Sequence, residues 1–313
     1  MDESVEVPGA LWRAEQPRVW RLARAALDFT VDQVALGLTG LKSLDALIVL
    51  AVNQANIASL TRDVDARYAY GGLSAPAPDE SRRPVSIHAI AQSMQIPFET
   101  VRRRIHHLEA MGACRQEARG VVIPASYLSS PAYLQDVLAA HERMRRLYFD
   151  LADASVLDPL PPSNYLPADE APVRAAARLL SDFLLRIADI LVRRTEDTVA
   201  GLILAAVIAD AIRTGRNPES PPGLTASEAA RRLGLPAETV RRRLTQLHLA
   251  GHCQRDASAR FSVRLDPDDA AMEAFVAELA ATLQRLMAGL AERGVIESWV
   301  NPQSPAALRG LAS

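Results

Sequence analysis

Three adjacent arginines behind a glutamate and a threonine occur twice in this chain. Glu99, Thr100, Val101, Arg102, Arg103 and Arg104 return, at an offset of 139 residues, as Glu238, Thr239, Val240, Arg241, Arg242 and Arg243. Guanidinium groups are permanent charges with planar donor forks, suited to bidentate contact with carboxylate, phosphate or the O6/N7 edge of guanine. Each run is followed at fixed spacing by a leucine, a glycine and a cysteine: Leu108, Gly112 and Cys114, then Leu247, Gly251 and Cys253. No glycine-rich phosphate loop or nucleophile elbow accompanies the runs, and the six histidines show no metal-ligand spacing with cysteines or acids. The chemistry on offer is recognition of an anion or a base edge, with no catalytic residue, cofactor or metal expected.

Placed on a helix at about 100° per residue, Val101, Ile105 and Leu108 form one buried stripe. The opposite face carries Glu99, Thr100, Arg103, His106 and His107, with Arg102 to one side. In the second copy that face is Glu238, Thr239, Arg242, Thr245 and Gln246, with Arg241 beside it. Arg103 and Arg242 project most directly outward, which makes them the leading candidates to read bases in a major groove that admits an α-helix. Glu99 and Glu238 lie one turn before them, at i, i+4 spacing, placed to orient the guanidinium or to accept from cytosine N4. Arg102, Arg241, Thr100, Thr239 and Ser86 suit backbone phosphates, which position without specifying. Arg104 and Arg243 stand at the margin of the buried face, where bridging to phosphate and folding back on an acid both remain open. Arg119 and Arg260, in the turns that follow, are placed for an adjacent phosphate or the minor groove.

These side chains need elements to carry them, and the repeat supplies the elements in duplicate. Residues 86–114 and 225–253 share 11 of 29 positions, and weaker similarity extends upstream. Each copy reads as an amphipathic helix (17–38 and 171–193), a more apolar helix (43–62 and 196–213) and a loop. The loop is extended in copy one, over 63–84, and short in copy two, over 216–223. A short helix follows (86–94 and 225–233), then a tight turn and the arginine helix (98–111 and 237–250). Two short strands come next (113–123 and 252–264), and a long helix closes the copy (131–152 and 267–292). Thr225 and Glu228 form a capping box at the start of the second short helix, and Ser86 caps the first. Ala91 and Ala230 sit where short and arginine helices approach, and Gly234 occupies a turn position held by Gln95 in copy one. The expected class is mainly α with small β-wings, two tandem units framed by long helices. Residues 1–156 form the first, 173–313 the second, and 157–172, with prolines at 159, 161, 162, 167 and 172, the linker.

The segment Thr100-Val101-x-Arg103-x-Ile105-x-x-Leu108-x-x-x-Gly112, with its copy from Thr239 to Gly251, resembles the recognition-helix signature of bacterial winged helix-turn-helix transcriptional regulators of the MarR-like and GntR-like types. The resemblance covers about 40 residues in each half and departs from the pattern at Arg104 and Arg243, where those families carry an apolar or small residue. It implies a double-stranded DNA ligand and a recognition helix in the major groove.

Composition bounds the alternatives. The chain has 313 residues, room for two domains, and a formal net charge of −2, so any polyanion site is local rather than a global field. Lys42 is the only lysine among 35 basic residues, which makes arginine content uninformative and arginine placement the signal. Two cysteines, one per repeat, argue against a disulfide framework and read as buried hydrophobes, with redox sensing the minority reading. The start, Met1 to Ala10, is acidic and lacks a secretory core; the longest apolar run, Val199 to Ala209, is too short to span a bilayer. A cytoplasmic location without membrane association is expected. Trp12, Trp20 and Trp299 read as packing near the chain ends, with an effector pocket as the alternative.

The leading expectation is a sequence-specific double-stranded DNA-binding regulator acting as a single-chain pseudo-dimer on an imperfect inverted repeat. A plasmid- or phage-type replication or partition factor is the alternative within DNA binding, and a tandem winged-helix interaction adaptor the alternative outside it. The apolar helices 43–62 and 196–213 are candidates for contact between halves or for a homodimer. The identity of any small-molecule effector is left open.

Overall fold

A computed structural model of the chain describes residues 17–41, 43–74, 76–164, 171–214, 223–263 and 269–300. The acidic start, Trp12, Lys42, Pro167 and residues 216–222 of the second loop lie outside them. The described residues are mainly helical, with two small two-stranded sheets.

In the first repeat, α1 (Arg18–Leu36) and the apolar α2 (Ser43–Ile57) lead to a short α3 (Val64–Ala69). The stretch read as a continuous extended loop thus contains a helix. Asp63 starts it, its side chain accepting the Ala66 N–H at 2.9 Å, and a capped turn of this kind carries no hydrophobic periodicity to announce it. The arginine unit follows as α4 (Ile87–Ser93), α5 (Phe98–Ala110), β1 (Arg115–Glu117) and β2 (Gly120–Val122). A one-turn α6 (Ala125–Leu128) and the long α7 (Pro131–Asp153) complete the run.

Among its described residues the second repeat keeps this order without counterparts of α3 and α6, and adds a helix at its end. It comprises α8 (Val173–Thr195), α9 (Thr198–Thr214), α10 (Ala226–Leu233), α11 (Ala237–Leu249), β3 (Gln254–Arg255), β4 (Phe261–Ser262), α12 (Ala270–Glu292) and a final α13 (Val295–Val300). Residues 157–164 of the proline-rich stretch have no regular secondary structure.

The chain divides into two compact units, Met1–Ala35 with Ile190–Ala281, and Leu36–Asp189 with Thr282–Ser313. Each unit therefore draws on both repeats: the unit with the first arginine helix contains most of α8, and the unit with the second contains α1. In the former, the backbone N–H groups of Arg174 and Ala175 donate to the Gly71 carbonyl at 3.0 and 3.1 Å. Arg178 donates to the Tyr70 carbonyl at 2.6 Å, and the Gln54 amide to the Arg178 carbonyl at 2.6 Å. In the latter, Arg232 of α10 pairs with Asp32 of α1 at 3.4 Å.

Each core is built around its apolar helix. Every residue of α9 from Gly201 to Asp210 is buried, and α9 packs on α10, α11 and β4. A Cβ at Gly201 would lie 3.0 Å from the Leu191 Cβ, so a larger residue there would require α8 and α9 to give by a few tenths of an ångström. In the other unit α2 packs against α4 and β2, with Leu47, Ile48, Val49 and Val52 buried. The helices read as candidate interfaces between halves or chains thus spend their apolar side chains within their own units.

Among the described residues α12 alone is long and apolar enough to cross a membrane by length and composition, and 56% of its apolar window is buried inside the protein.

Candidate nucleic-acid interface

The arginine helices sit on a scaffold whose local causes are visible at each joint. Ser86 caps α4, its hydroxyl accepting the Ala89 N–H at 3.1 Å. Thr225 and Glu228 make the full capping box on α10. The turn before each arginine helix passes through the left-handed region, at Gly234 with φ 64° and at Gln95 with φ 49°. Pro97 and Pro236 then supply extended N-caps for α5 and α11.

Val101, Ile105, Leu108, Val240, Leu244 and Leu247 are all buried, which is the stripe expected from helical spacing. At the far end both helices stop in the same way. Ala113 N–H returns to the Leu108 carbonyl and Gly112 N–H to Glu109; His252 and Gly251 repeat the pattern on Leu247 and His248. This is a Schellman termination, with Gly112 and Gly251 in the left-handed conformation.

The antiparallel hairpins that follow pair Arg115 with Val122 and Gln254 with Ser262. Each gains a bridge to the strand-like segment before the short helix, Val85 to Val121 and Leu224 to Phe261. In the unit that contains α5, Asn56 fixes this corner. Its amide donates to the Arg83 and Val121 carbonyls at 2.8 and 3.0 Å, and its oxygen accepts the Ile123 N–H at 2.9 Å.

On this frame the three arginines part company. Glu99 receives Nε and a terminal nitrogen of Arg102 at 2.9 and 2.7 Å, and Glu238 receives Arg241 at 3.0 and 2.7 Å. The expected i, i+4 pairing with Arg103 and Arg242 is therefore replaced by i, i+3 pairing, which brings the guanidinium fork in side-on. The partner carboxylates raise the Arg102 and Arg241 pKa values, and Arg241 lowers that of Glu238. Both pairs are solvent-exposed and cost little to separate.

Arg104 and Arg243 fold back on acids, Asp45 and Asp197, each at 2.7 Å. Arg243 also donates to Gln246 at 3.1 Å. Of the two roles open to them from the sequence, this arrangement realises the acid contact. Asp45 stands in the first turn of α2, and Asp197 caps α9 by accepting the Ala200 N–H at 2.7 Å. Sequence reasoning overlooked both acids; the available signal was an acid at the head of each apolar helix, beside a marginal arginine needing a partner.

Arg103 and Arg242 remain exposed, and among the described residues neither side chain makes a hydrogen bond or ion pair, although Arg242 lies near enough to Glu238 to help lower its pKa.

The remaining candidates are divided between surface and scaffold. Thr100 and Thr239 are half-buried and His107 is exposed. His106 is exposed, with Nδ1 3.1 Å from the Gln116 amide nitrogen, itself held by Glu109 at 2.6 Å. Thr245 donates back to the Arg241 carbonyl at 3.0 Å.

Thr225 is committed to its capping box, donating to Glu228 as well as accepting from it. Arg260 bonds the Gly223 carbonyl at 3.0 Å and Glu228 at 3.2 Å, bracing the hairpin against α10. Thr225, also a DNA-contact candidate from the sequence beside its capping role, and Arg260 are both engaged internally with Glu228. Arg119, in the turn between β1 and β2, is exposed. The two surfaces therefore share a central arginine and differ at their edges.

Cys114 and Cys253 are buried, and desolvation pushes their thiols up to about 12 and about 11, so both stay protonated. No group of three or more His, Cys, Asp or Glu side chains suited to a metal ion occurs among the described residues. Of the tryptophans, Trp299 is buried against His141, to which its indole N–H donates at 3.1 Å; Trp20 is half-buried on α1.

No family model matches the chain, and no curated protein or solved structure is detectably similar to it.

Proposed function

We propose that the chain is a sequence-specific double-stranded DNA-binding transcription regulator, carrying two winged helix-turn-helix units in one polypeptide. In each, a short helix, a turn of four residues in the first copy and three in the second, and an arginine helix are followed by a β-hairpin that serves as the wing. The observation that carries the reading is the state of Arg103 and Arg242. At equivalent positions of two duplicated helices, each is exposed and unpaired while both neighbouring arginines are engaged.

A guanidinium without a hydrogen-bonded partner on the outer face of a helix is fit to take the O6/N7 edge of guanine in the major groove. Arg102 and Arg241 then serve phosphates, exchanging exposed carboxylates for DNA oxygens, while Thr100, Thr239, Ser86 and Arg119 supply further backbone contacts. His106 and His107, against Thr245 and Gln246, make the two half-sites unequal. Arg104 and Arg243 do not touch DNA in this reading; they orient the helix.

The test is random-sequence selection followed by gel shift with the full chain. An enriched imperfect inverted repeat is expected. Arg103→Ala and Arg242→Ala should each weaken specific binding by about 1–3 kcal/mol. No enriched sequence, or binding unchanged in both variants, sinks the assignment.

A further inference from the structure

Both arginine helices carry an acid on the face that a polyanion would meet. Glu99 and Glu238 are the second residues of α5 and α11, in the first turn of each. Each clasps a guanidinium through two hydrogen bonds, Arg102 at 2.9 and 2.7 Å and Arg241 at 3.0 and 2.7 Å. In each pair the carboxylate reaches further into solvent than its arginine, 70% exposed against 49% in the first copy and 74% against 69% in the second. Negative charge therefore stands ahead of Arg102 and Arg241 on the outer face.

An acid in the first turn suits the helix dipole whatever the helix does. Two features go beyond that. Glu99 and Glu238 precede Arg103 and Arg242 by four residues on the same face, and the N-terminal residues of a helix in the major groove are those that meet base edges. In the second copy Arg242, after Arg241, helps lower the Glu238 pKa, so acid and unbonded guanidinium lie within each other's field. The clasp also occupies the arginine suited to phosphate. Opening an exposed pair costs little, but it leaves the carboxylate against DNA without a donor. An ionised carboxylate only accepts. Guanine presents the acceptors N7 and O6, thymine O4 and a methyl group, and adenine an N6 donor beside the N7 acceptor; cytosine presents its N4 donor with no acceptor beside it.

We propose that Glu99 and Glu238 are specificity-determining residues that each read a cytosine, and that their clasp on Arg102 and Arg241 weakens binding to DNA that lacks it. This rests on the DNA-binding reading above. Where the cytosine is missing, a released arginine leaves its carboxylate facing acceptors and phosphates, so the clasp stays shut and a phosphate contact is not made. Where it is present, N4 takes the place of the arginine, which moves to phosphate. Four helical residues rise about 6 Å and a base-pair step is about 3.4 Å, so the cytosine lies within about two base pairs of the guanine taken by Arg103 or Arg242.

The experiment is random-sequence selection with the full chain and with Glu99→Gln, Glu99→Ala, Glu238→Gln and Glu238→Ala. Gel-shift titration of an alternating A·T duplex, which holds no cytosine, accompanies it over a range of salt. Wild type should enrich a cytosine in each half-site. A glutamine amide matches adenine N6 and N7, so Glu99→Gln should exchange cytosine for adenine in one half-site, and Glu238→Gln in the other. The Ala variants should cut discrimination at that position by about tenfold. They should also bind the A·T duplex more tightly than wild type, with the slope of log affinity against log salt steeper by about 0.9 for the one phosphate gained. Circular dichroism and thermal melts check that each variant folds.

Acids that served only the helix N-terminus would change the melting temperature and leave base preference as in wild type. That result, with a site selected, overturns the proposal and leaves the DNA-binding reading standing. Ala variants that bind the A·T duplex no better than wild type overturn the clasp, and binding with no enriched site overturns the cytosine reading. Failure of wild type and variants alike to bind any duplex overturns the DNA-binding reading and this proposal together.

Discussion

At the scale of single residues, identical neighbours acquire different work from where their charges find partners. Arg102, Arg103 and Arg104 are consecutive, yet one pairs along the helix, one pairs across to α2 and one stays free. Substitutions should separate these roles. Arg104→Ala is expected to lower stability on the order of 1 kcal/mol, because it strands the half-buried Asp45 carboxylate. On the proposed DNA-binding reading, that variant should retain base preference. Denaturant unfolding beside sequence selection distinguishes it from Arg103→Ala, which should do the reverse. The cysteines give a second residue-scale prediction. With thiols pushed up to about 12 and about 11 by burial, Cys114 and Cys253 should resist a thiol-specific reagent at pH 8 in the native protein and react on unfolding.

His141 offers a third, with a definite sign. Burial lowers its pKa to about 4, and the Trp299 indole donates to its Nε2. The folded state thus favours the neutral ring, whereas the unfolded chain protonates near the ordinary histidine value. Its contribution is complete above about pH 6.5 and is lost as pH falls toward 4, on the order of 3 kcal/mol in all. Urea unfolding between pH 7 and 4.5 should show that slope, and His141→Gln should flatten it.

At the scale of elements, the corner between the short helix and the arginine helix is the same construction made with unequal materials. Gly234 enters the left-handed region without a Cβ, whereas Gln95 enters it with one. Gln95→Gly should stabilise the protein by about 0.5–1 kcal/mol, the relief of left-handed strain less the added freedom of the unfolded chain. Gly234→Ala should destabilise it by about 1 kcal/mol, and thermal melts of the two variants should move in opposite directions.

The elements were also the part most open to reading from sequence. The stripe of Val101, Ile105 and Leu108 and the glycine stop at Gly112 are local and periodic, so their positions follow from the covalent chain. The α3 helix escaped such a reading because a six-residue turn has too few residues to show a period. The hairpins are shorter than the strands expected over 113–123 and 252–264, since only a few residues find backbone partners before the turns at Glu117 and Asp256.

At the scale of the whole molecule, each compact unit is assembled from both repeats. Cleavage after Asn164 would leave α1 with the first fragment and α8 with the second. Residues 1–164 alone would lack the buried side chains Ala176, Phe183 and Ile187 of α8. We expect that fragment to show no cooperative thermal transition on its own, and the two fragments to recover one when refolded together. A full-strength cooperative melt from either fragment alone would contradict the exchanged arrangement.

The covalent chain by itself determined the duplication, the helical register and the outward direction of Arg103 and Arg242, because helix periodicity is a local property of the backbone. Tertiary structure alone decided which arginines stay free, that Arg260 braces the scaffold, and which repeat supplies each framing helix. Those outcomes depend on which acid or apolar face lies nearest in space, and sequence separation does not encode that distance. Asp45 stands 59 residues from Arg104, and only folding brings them to 2.7 Å.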